Sequence, residues 1–267
     1  DAVFCTSMMN LAEFKGLVSP AIAALPSLVY FHENQLTYPE GTHYKKDNRL
    51  MMINFHTLQA ADKVWFNSAF HRDEFLGSLK KWLRSIPGKP FENTSFTSTE
   101  VHYPGINVLG FEKKKFSEPL RICWTSRWEE DKNPQLFFDT LYALKEMKVD
   151  FRVSVFGESL NLIPQCFQDA KVRLQDEIEH WGFVEDYQQY LSALRSCHLV
   201  FSSADHEFFG IGVLEALGAG CLPIVPNRLA YPEVLQGFEE FFYSRRFAAS
   251  IAEHIVEISE KMKDIYW

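Results

Sequence analysis

Six short apolar runs punctuate this chain: LPSLVYF (25–31), DKVWFNS (62–68), LRICWTS (120–126), DFRVSVFG (150–157), CHLVFSS (197–203) and CLPIVP (221–226). Runs of this length, rich in branched and aromatic residues and mostly without strict alternation, read as buried strands of a parallel sheet. The stretches between them carry helical patterns. The clearest begins at Asn133-Pro134, an N-cap followed by proline at the first helical position, with Leu136, Phe137, Leu141 and Leu144 on one side. Another spans EDYQQYLSALRSC (185–197). Strand, helix, strand repetition predicts α/β doubly wound sheets, and such sheets take ligands beyond the carboxyl ends of their strands.

YPGINVLGFEKKKFSEP (103–119) combines turn residues and charge without periodicity, so it predicts a boundary. Two Rossmann-like domains follow, at 1–112 and 113–245, with a helical tail at 246–267 that is expected to cross back to the first. The first domain opens on DAVFCTSMMNL, already strand-like, without a Gly-rich strand-turn-helix before it. It therefore reads as incomplete, and the native chain as longer.

A content of 46% apolar residues over 267 positions is ample for packed cores, whereas a net charge of −8 argues against a surface uniformly coated for nucleic acid. The charge is uneven, +1 over residues 1–118 and −9 over 119–267, with basic clusters at 45–49, 80–84 and 113–115. Taken singly these are solvated faces; gathered in one half, they leave room there for an anionic acceptor. No secretory leader pattern or membrane span is evident. Five widely spaced cysteines without a C-x-x-C pair read as core thiols of a reducing compartment, and the location expected is cytoplasmic. The sequon Asn93-Thr94-Ser95 carries no weight. No Walker loop, G-x-S-x-G or zinc cluster is present, and the absence of any D-x-D triplet argues against a metal-dependent alternative.

The stretch FFGIGVLEALGAGCLPIVPN (208–227) holds one charged side chain, Glu215, with Glu207 immediately before it. An apolar, Gly-rich helix between strands is expected to be buried, and a buried carboxylate needs hydrogen-bond donors. Ligand hydroxyls serve, as would a backbone amide or Arg228. The amides of Phe208, Phe209 and Gly210 open the helix and are expected to point at an anion or a sugar oxygen. Arg127 and Lys132 flank a strand-to-helix loop, where they are suited either to a diphosphate or to ion pairs with Glu129, Glu130 and Asp131. His32 ends the strand LVYF and is followed by Glu33, Asn34 and Gln35.

The E-x7-E pair resembles the donor-sugar motif of the retaining GT-B glycosyltransferases of the family 4 type. YFHENQLTYP (30–39), FNSAFHRDEFL (66–76), SRWEEDKNPQLFF (126–138), FGE (156–158), HWGFV (180–184) and HEFFGIGVLEA (206–216) follow in an order similar to the tRNA-queuosine alpha-mannosyltransferase branch. The resemblance implies GDP-mannose as donor, queuosine of tRNA as acceptor, and no required cofactor or metal. It implies that Glu207 and the amides after it hold the hexose, Glu215 the ribose, and Arg127 and Lys132 the diphosphate. Gly157 and Glu158 match a turn beside the phosphates, and Gly182 and Phe183 the segment that reads the base. His32 matches an active-site histidine, catalytic together with Glu207, while His206 is a weaker donor-side candidate. Glu33, Asn34 and Gln35 are candidates for orienting His32 or binding the acceptor. Two other readings stay open: a family 4 transferase with another nucleotide-sugar and a glycan, lipid or small-molecule acceptor, and a non-enzymatic nucleotide-sugar or RNA binding module.

Overall fold

The computed structural model describes residues 1–39, 47–88, 96, 98–107, 116–158 and 163–263, which fall into two compact units, 1–104 and 105–267. The basic residues 45, 46 and 113–115 and the sequon at 93–95 lie outside the described residues; Lys80, Lys81 and Arg84 lie exposed on a helix of the first unit.

The first unit runs β1 (Val3–Thr6), α1 (Leu11–Leu17), α2 (Pro20–Ala23), β2 (Ser27–Phe31), α3 (Asn48–Ala60), β3 (Lys63–Phe66), α4 (Ala69–Ser85) and β4 (Thr99–Val101). Its sheet is parallel, in the order β1-β2-β3-β4. Right-handed crossovers that always step the same way put every helix on one face. Accordingly Cys5, Val29, Phe31, Val64 and Phe66 join Leu11, Phe55, Leu58, Phe75 and Leu79 in one core. These strands therefore bury alternate residues, in contrast to the double-sided burial expected of an apolar run.

The second unit comprises β5 (Leu120–Thr125), α5 (Pro134–Glu146), β6 (Phe151–Phe156), α6 (Gln165–Arg173), β7 (Ile178–Gly182), α7 (Tyr187–Ser196), β8 (Leu199–Phe201), α8 (Ile211–Gly218), β9 (Leu222–Pro226), α9 (Tyr231–Val234), β10 (Phe242–Tyr243) and α10 (Ala248–Met262). The parallel order is β10-β9-β8-β5-β6-β7. The chain first steps outward from β5 through β6 to β7, then returns to lay β8, β9 and β10 on the other side of β5. Helices thus cover both faces, and β8 and β9 are buried at every position. One core gathers Trp124, Phe137, Phe138, Phe151 and Phe167 with Ile251, Ile255 and Ile258 of α10, which packs on α5; the other lies under α7 and α8. Asn133 caps α5, its side-chain oxygen accepting from the Leu136 amide at 3.2 Å, and Pro134 follows. Four of the five cysteines are buried and all are free thiols. No helix among the described residues is long and apolar enough to cross a membrane.

Candidate active site

The winding of the second sheet reverses between β5 and β8, and in an open α/β sheet a ligand sits at the carboxyl edge at such a point. The two loops there carry the charged residues picked out in the sequence. Residues 126–133 leave β5, residues 202–210 leave β8, and they are laced together. The amides of Asp205 and His206 donate to the Asp131 carbonyl at 2.9 and 3.2 Å, and the Ser203 hydroxyl donates to the Lys132 carbonyl at 2.8 Å.

Lys132 closes the lacing. Its side chain is only 11% accessible, and its ammonium donates to the His206 carbonyl at 2.7 Å and to Glu207 Oε2 at 3.3 Å, with Asp131 Oδ2 at 3.2 Å. Burial alone would depress the pKa of this amine, but the Glu207 and Asp131 carboxylates outweigh it and hold the pKa above its usual value. Both ion pairs follow from one buried cation between two loops.

Glu207 is the counterpart. Its Oε1 accepts the amides of Phe208, Phe209 and Gly210 at 3.1, 3.2 and 3.0 Å. The anion at this helix start is therefore the protein's own carboxylate, folded back over the first turn, and the amides expected to face a ligand are already occupied. Burial would raise the Glu207 pKa; Lys132 and the amides of Phe209 and Gly210 override it and hold the carboxyl below its usual range. With 23% of its side chain accessible, Glu207 still presents an edge to solvent.

Glycines set how closely these parts approach. Gly210 has φ +82°, and a Cβ there would lie 2.9 Å from the Tyr231 ring; one on Gly212 would lie 2.5 Å from the Thr125 carbonyl oxygen, so α8 sits directly on the end of β5. Gly157, at φ +102°, ends β6 against the β5 loop: its Cβ would fall 2.2 Å from the Ser126 carbonyl oxygen, and the Glu158 carbonyl accepts the Trp128 amide at 2.9 Å. Gly157→Ala is expected to lower stability by about 2 kcal/mol or more, because neither strand end can retreat. A thermal midpoint equal to the parent's would contradict that placement.

The His206 side chain is 12% accessible, its Nδ1 3.9 Å from Asp131 Oδ2. Burial first, then the Lys132 charge, pushes its pKa down to about 4, so the imidazole is neutral at pH 7. A histidine with its folded pKa below its unfolded one stabilises fully above about pH 6.5 and loses that contribution as pH falls towards 4. Denaturant unfolding between those limits is expected to show stability falling with acid, and His206→Gln to flatten the slope.

Of the remaining expectations, Arg127, in the same loop after β5 as Lys132, is half exposed and pairs with Glu129 at 3.3 Å. Gly182 has φ +120° and ends β7; Phe183 beside it is 59% exposed. Glu215 departs from expectation. It is half-buried, since Ile211, one turn earlier on the same face, is itself exposed, and α8 buries Val213, Ala216 and Gly218 instead. Its oxygens accept from the hydroxyls of Tyr187 at 2.8 Å and Tyr190 at 3.4 Å. Arg228 turns away to Asp205 and the Ala204 carbonyl.

In the first unit His32 is exposed just after β2, its carbonyl held by Asn67. The Asn34 side chain is wholly buried and spent on a turn with Thr37. Gln35 is buried too, its amide donating to Asn54 and its side chain 3.9 Å from the Met8 sulfur. His32 and Glu33 are the members of that group whose side chains reach the surface.

The sequence reading missed Asp205. Its carboxylate takes Asn133 at 3.0 Å, Arg228 at 2.9 Å and Arg246, tying the loops after β5, β9 and β10 to the one that carries Glu207. Only its neighbours His206 and Glu207 drew attention, because the partners lie 23 to 72 residues away. Among the described residues no group of three His, Cys, Asp or Glu side chains is placed to hold a metal.

Comparison with known proteins accords with this geometry. Residues 109–264 match the family described as Glycosyl transferases group 1. The chain belongs to that family. Residues 1–100 match the tRNA-queuosine alpha-mannosyltransferase N-terminal family. A tRNA-queuosine alpha-mannosyltransferase of Drosophila melanogaster is 37% identical over 246 residues, 87% of this chain and 65% of that protein, so the chain spans somewhat under two thirds of the relative's length. Among solved structures, sucrose-phosphate synthase from Thermosynechococcus elongatus superposes with a TM-score of 0.68 at 16% identity, covering 94% of this chain and 61% of that one. HepE of Anabaena in complex with UDP gives 0.68 at 16% identity, covering 98% and 70%. TarM of S. aureus gives 0.65 at 12%, covering 88% and 44%. The group 1 transferase thus has the GT-B fold.

Proposed function

We propose that this group 1 transferase moves mannose from GDP-mannose to queuosine in tRNA with retention of configuration, in the cytoplasm. The observation that carries the reading is the match of residues 1–100 to the tRNA-queuosine alpha-mannosyltransferase N-terminal family, with 37% identity to the Drosophila protein beyond it. Acceptor choice belongs to the half of a transferase that does not hold the donor, and that half carries the specific likeness.

The second unit supplies the donor site. Arg127 and Lys132 face the diphosphate, Glu207 the hexose, Glu215 the ribose, and Gly182 and Phe183 the base; Gly157 and Glu158 form the wall beside the phosphates. His32 is assigned to the donor sugar, with Glu33 towards the acceptor. The bond from the anomeric carbon to the diphosphate breaks, the queuosine hydroxyl oxygen bonds to that carbon on the same face, and a diphosphate oxygen takes the hydroxyl proton. The positive charges of Arg127 and Lys132 are what this reading offers the departing diphosphate, in place of a metal.

A second reading takes a lipid as acceptor, on the likeness of 160 residues, at 23% identity, to a GDP-mannose-dependent alpha-(1-6)-phosphatidylinositol dimannoside mannosyltransferase of Mycobacterium tuberculosis. Incubation with labelled GDP-mannose and an equal choice of tRNA and phosphatidylinositol vesicles separates the two. Label in RNA, declining steeply with salt as phosphate contacts are screened, supports the proposal; label in lipid overturns it in favour of the second reading.

A further inference from the structure

Glu215 has partners that the E-x7-E spacing does not foretell. Tyr187 and Tyr190 lie three residues apart on one face of α7, their rings 6.1 Å apart, and each directs its hydroxyl at a different oxygen of the same carboxylate. They are not equivalent. The Tyr190 ring is packed edge-on against Phe156 at the end of β6, and burial, then Glu215, pushes its hydroxyl pKa far up, so it remains a donor. Tyr187 is 37% exposed and makes the shorter bond. A carboxylate on a half-exposed helix face would otherwise sample several rotamers and turn its oxygens to water.

We propose that Tyr187 and Tyr190 act as a clamp that orients Glu215 to receive the two ribose hydroxyls of the donor nucleotide, and so set selectivity for ribose over deoxyribose. The inference rests on the reading of Glu215 as the ribose ligand. A carboxylate has about four acceptor sites. The two tyrosines take one on each oxygen, fixing the plane of the group and leaving one on each oxygen for a vicinal diol. Removing either hydroxyl keeps the charge and loses the aim.

The test is calorimetric titration of the full chain and its Tyr187→Phe, Tyr190→Phe and Glu215→Gln variants with GDP, 2′-deoxy-GDP and inorganic diphosphate. Each tyrosine variant is expected to bind GDP about 3- to 10-fold more weakly, in line with loss of a hydrogen bond to a charged group, and to narrow the gap between GDP and its deoxy analogue. Diphosphate affinity should stay at the parent's value. Parent-like or tighter GDP binding by both tyrosine variants, with Glu215→Gln still weakened, overturns the clamp and leaves the ribose role standing. Diphosphate affinity falling in step with GDP also overturns it, since that marks general loosening of the unit. Glu215→Gln with unchanged GDP affinity and selectivity removes the ribose role and the clamp together. Tyr187, half-exposed at the first turn of α7, is the variant least able to disturb folding, and decides the matter if Tyr190→Phe is unstable.

Discussion

Lys132→Met is expected to destabilise the second unit by about 3–5 kcal/mol and to abolish measurable binding of a nucleotide diphosphate. The methionine fills the same space, so no cavity opens. What changes is charge: Glu207 and Asp131 each lose the ammonium within 3.3 Å, and the His206 carbonyl loses its donor. Breaking a buried pair by removing one partner is costly because the other charge stays behind. The loss should be partly relieved in Lys132→Met/Glu207→Gln, where the main orphaned charge is removed as well. Denaturant unfolding of the parent, Lys132→Met, Glu207→Gln and the double variant gives the coupling. A single-variant loss below about 1 kcal/mol would mean that the ammonium is solvated, contrary to its 11% accessibility.

Glu207→Gln is expected to reduce transfer by about 10²-fold or more while leaving GDP affinity within a few-fold. The amide oxygen still accepts from Phe208, Phe209 and Gly210, so the start of α8 is preserved. Its amide nitrogen, in the place of Oε2, is a donor facing another donor on Lys132, and the charge is gone. Glu207→Ala should lose transfer to the same extent and, in addition, about 2–4 kcal/mol of stability, since three amides and Lys132 lose their acceptor. Comparing the two separates what Glu207 does for the helix from what it does for the sugar. Transfer at the parent rate in Glu207→Gln would leave the residue with a purely structural part.

The sequence announces the second unit more clearly than the first. The runs at 120–126, 150–157, 197–203 and 221–226 are apolar on both sides of the strand because helices cover both faces, and continuous apolarity is a signal one can read without partners. β4, β7 and β10 escaped such reading. They are short or end the sheet, and in β7 the burial is incomplete throughout, so composition does not mark them. Glu207 was legible from its place immediately before an apolar stretch that holds a single carboxylate, and Lys132 from its position in a strand-to-helix loop. Their bond to each other spans 75 residues and was not. The same holds for the tyrosines on Glu215, which α7 presents at a spacing common to any amphipathic helix. An apolar helix also misleads: α8 has almost no charge, yet one face stays partly open, which is how Glu215 comes to be accessible.

The proposed activity is tested most directly by supplying this chain with labelled GDP-mannose and, in parallel, labelled UDP-sugars, against tRNA that contains queuosine and the same tRNA without it. The account predicts label in the RNA only where GDP-mannose and queuosine are present together, and none with Glu207→Gln beyond about a hundredth of the parent. Label from a UDP-sugar, or equal label in queuosine-free tRNA, would contradict it.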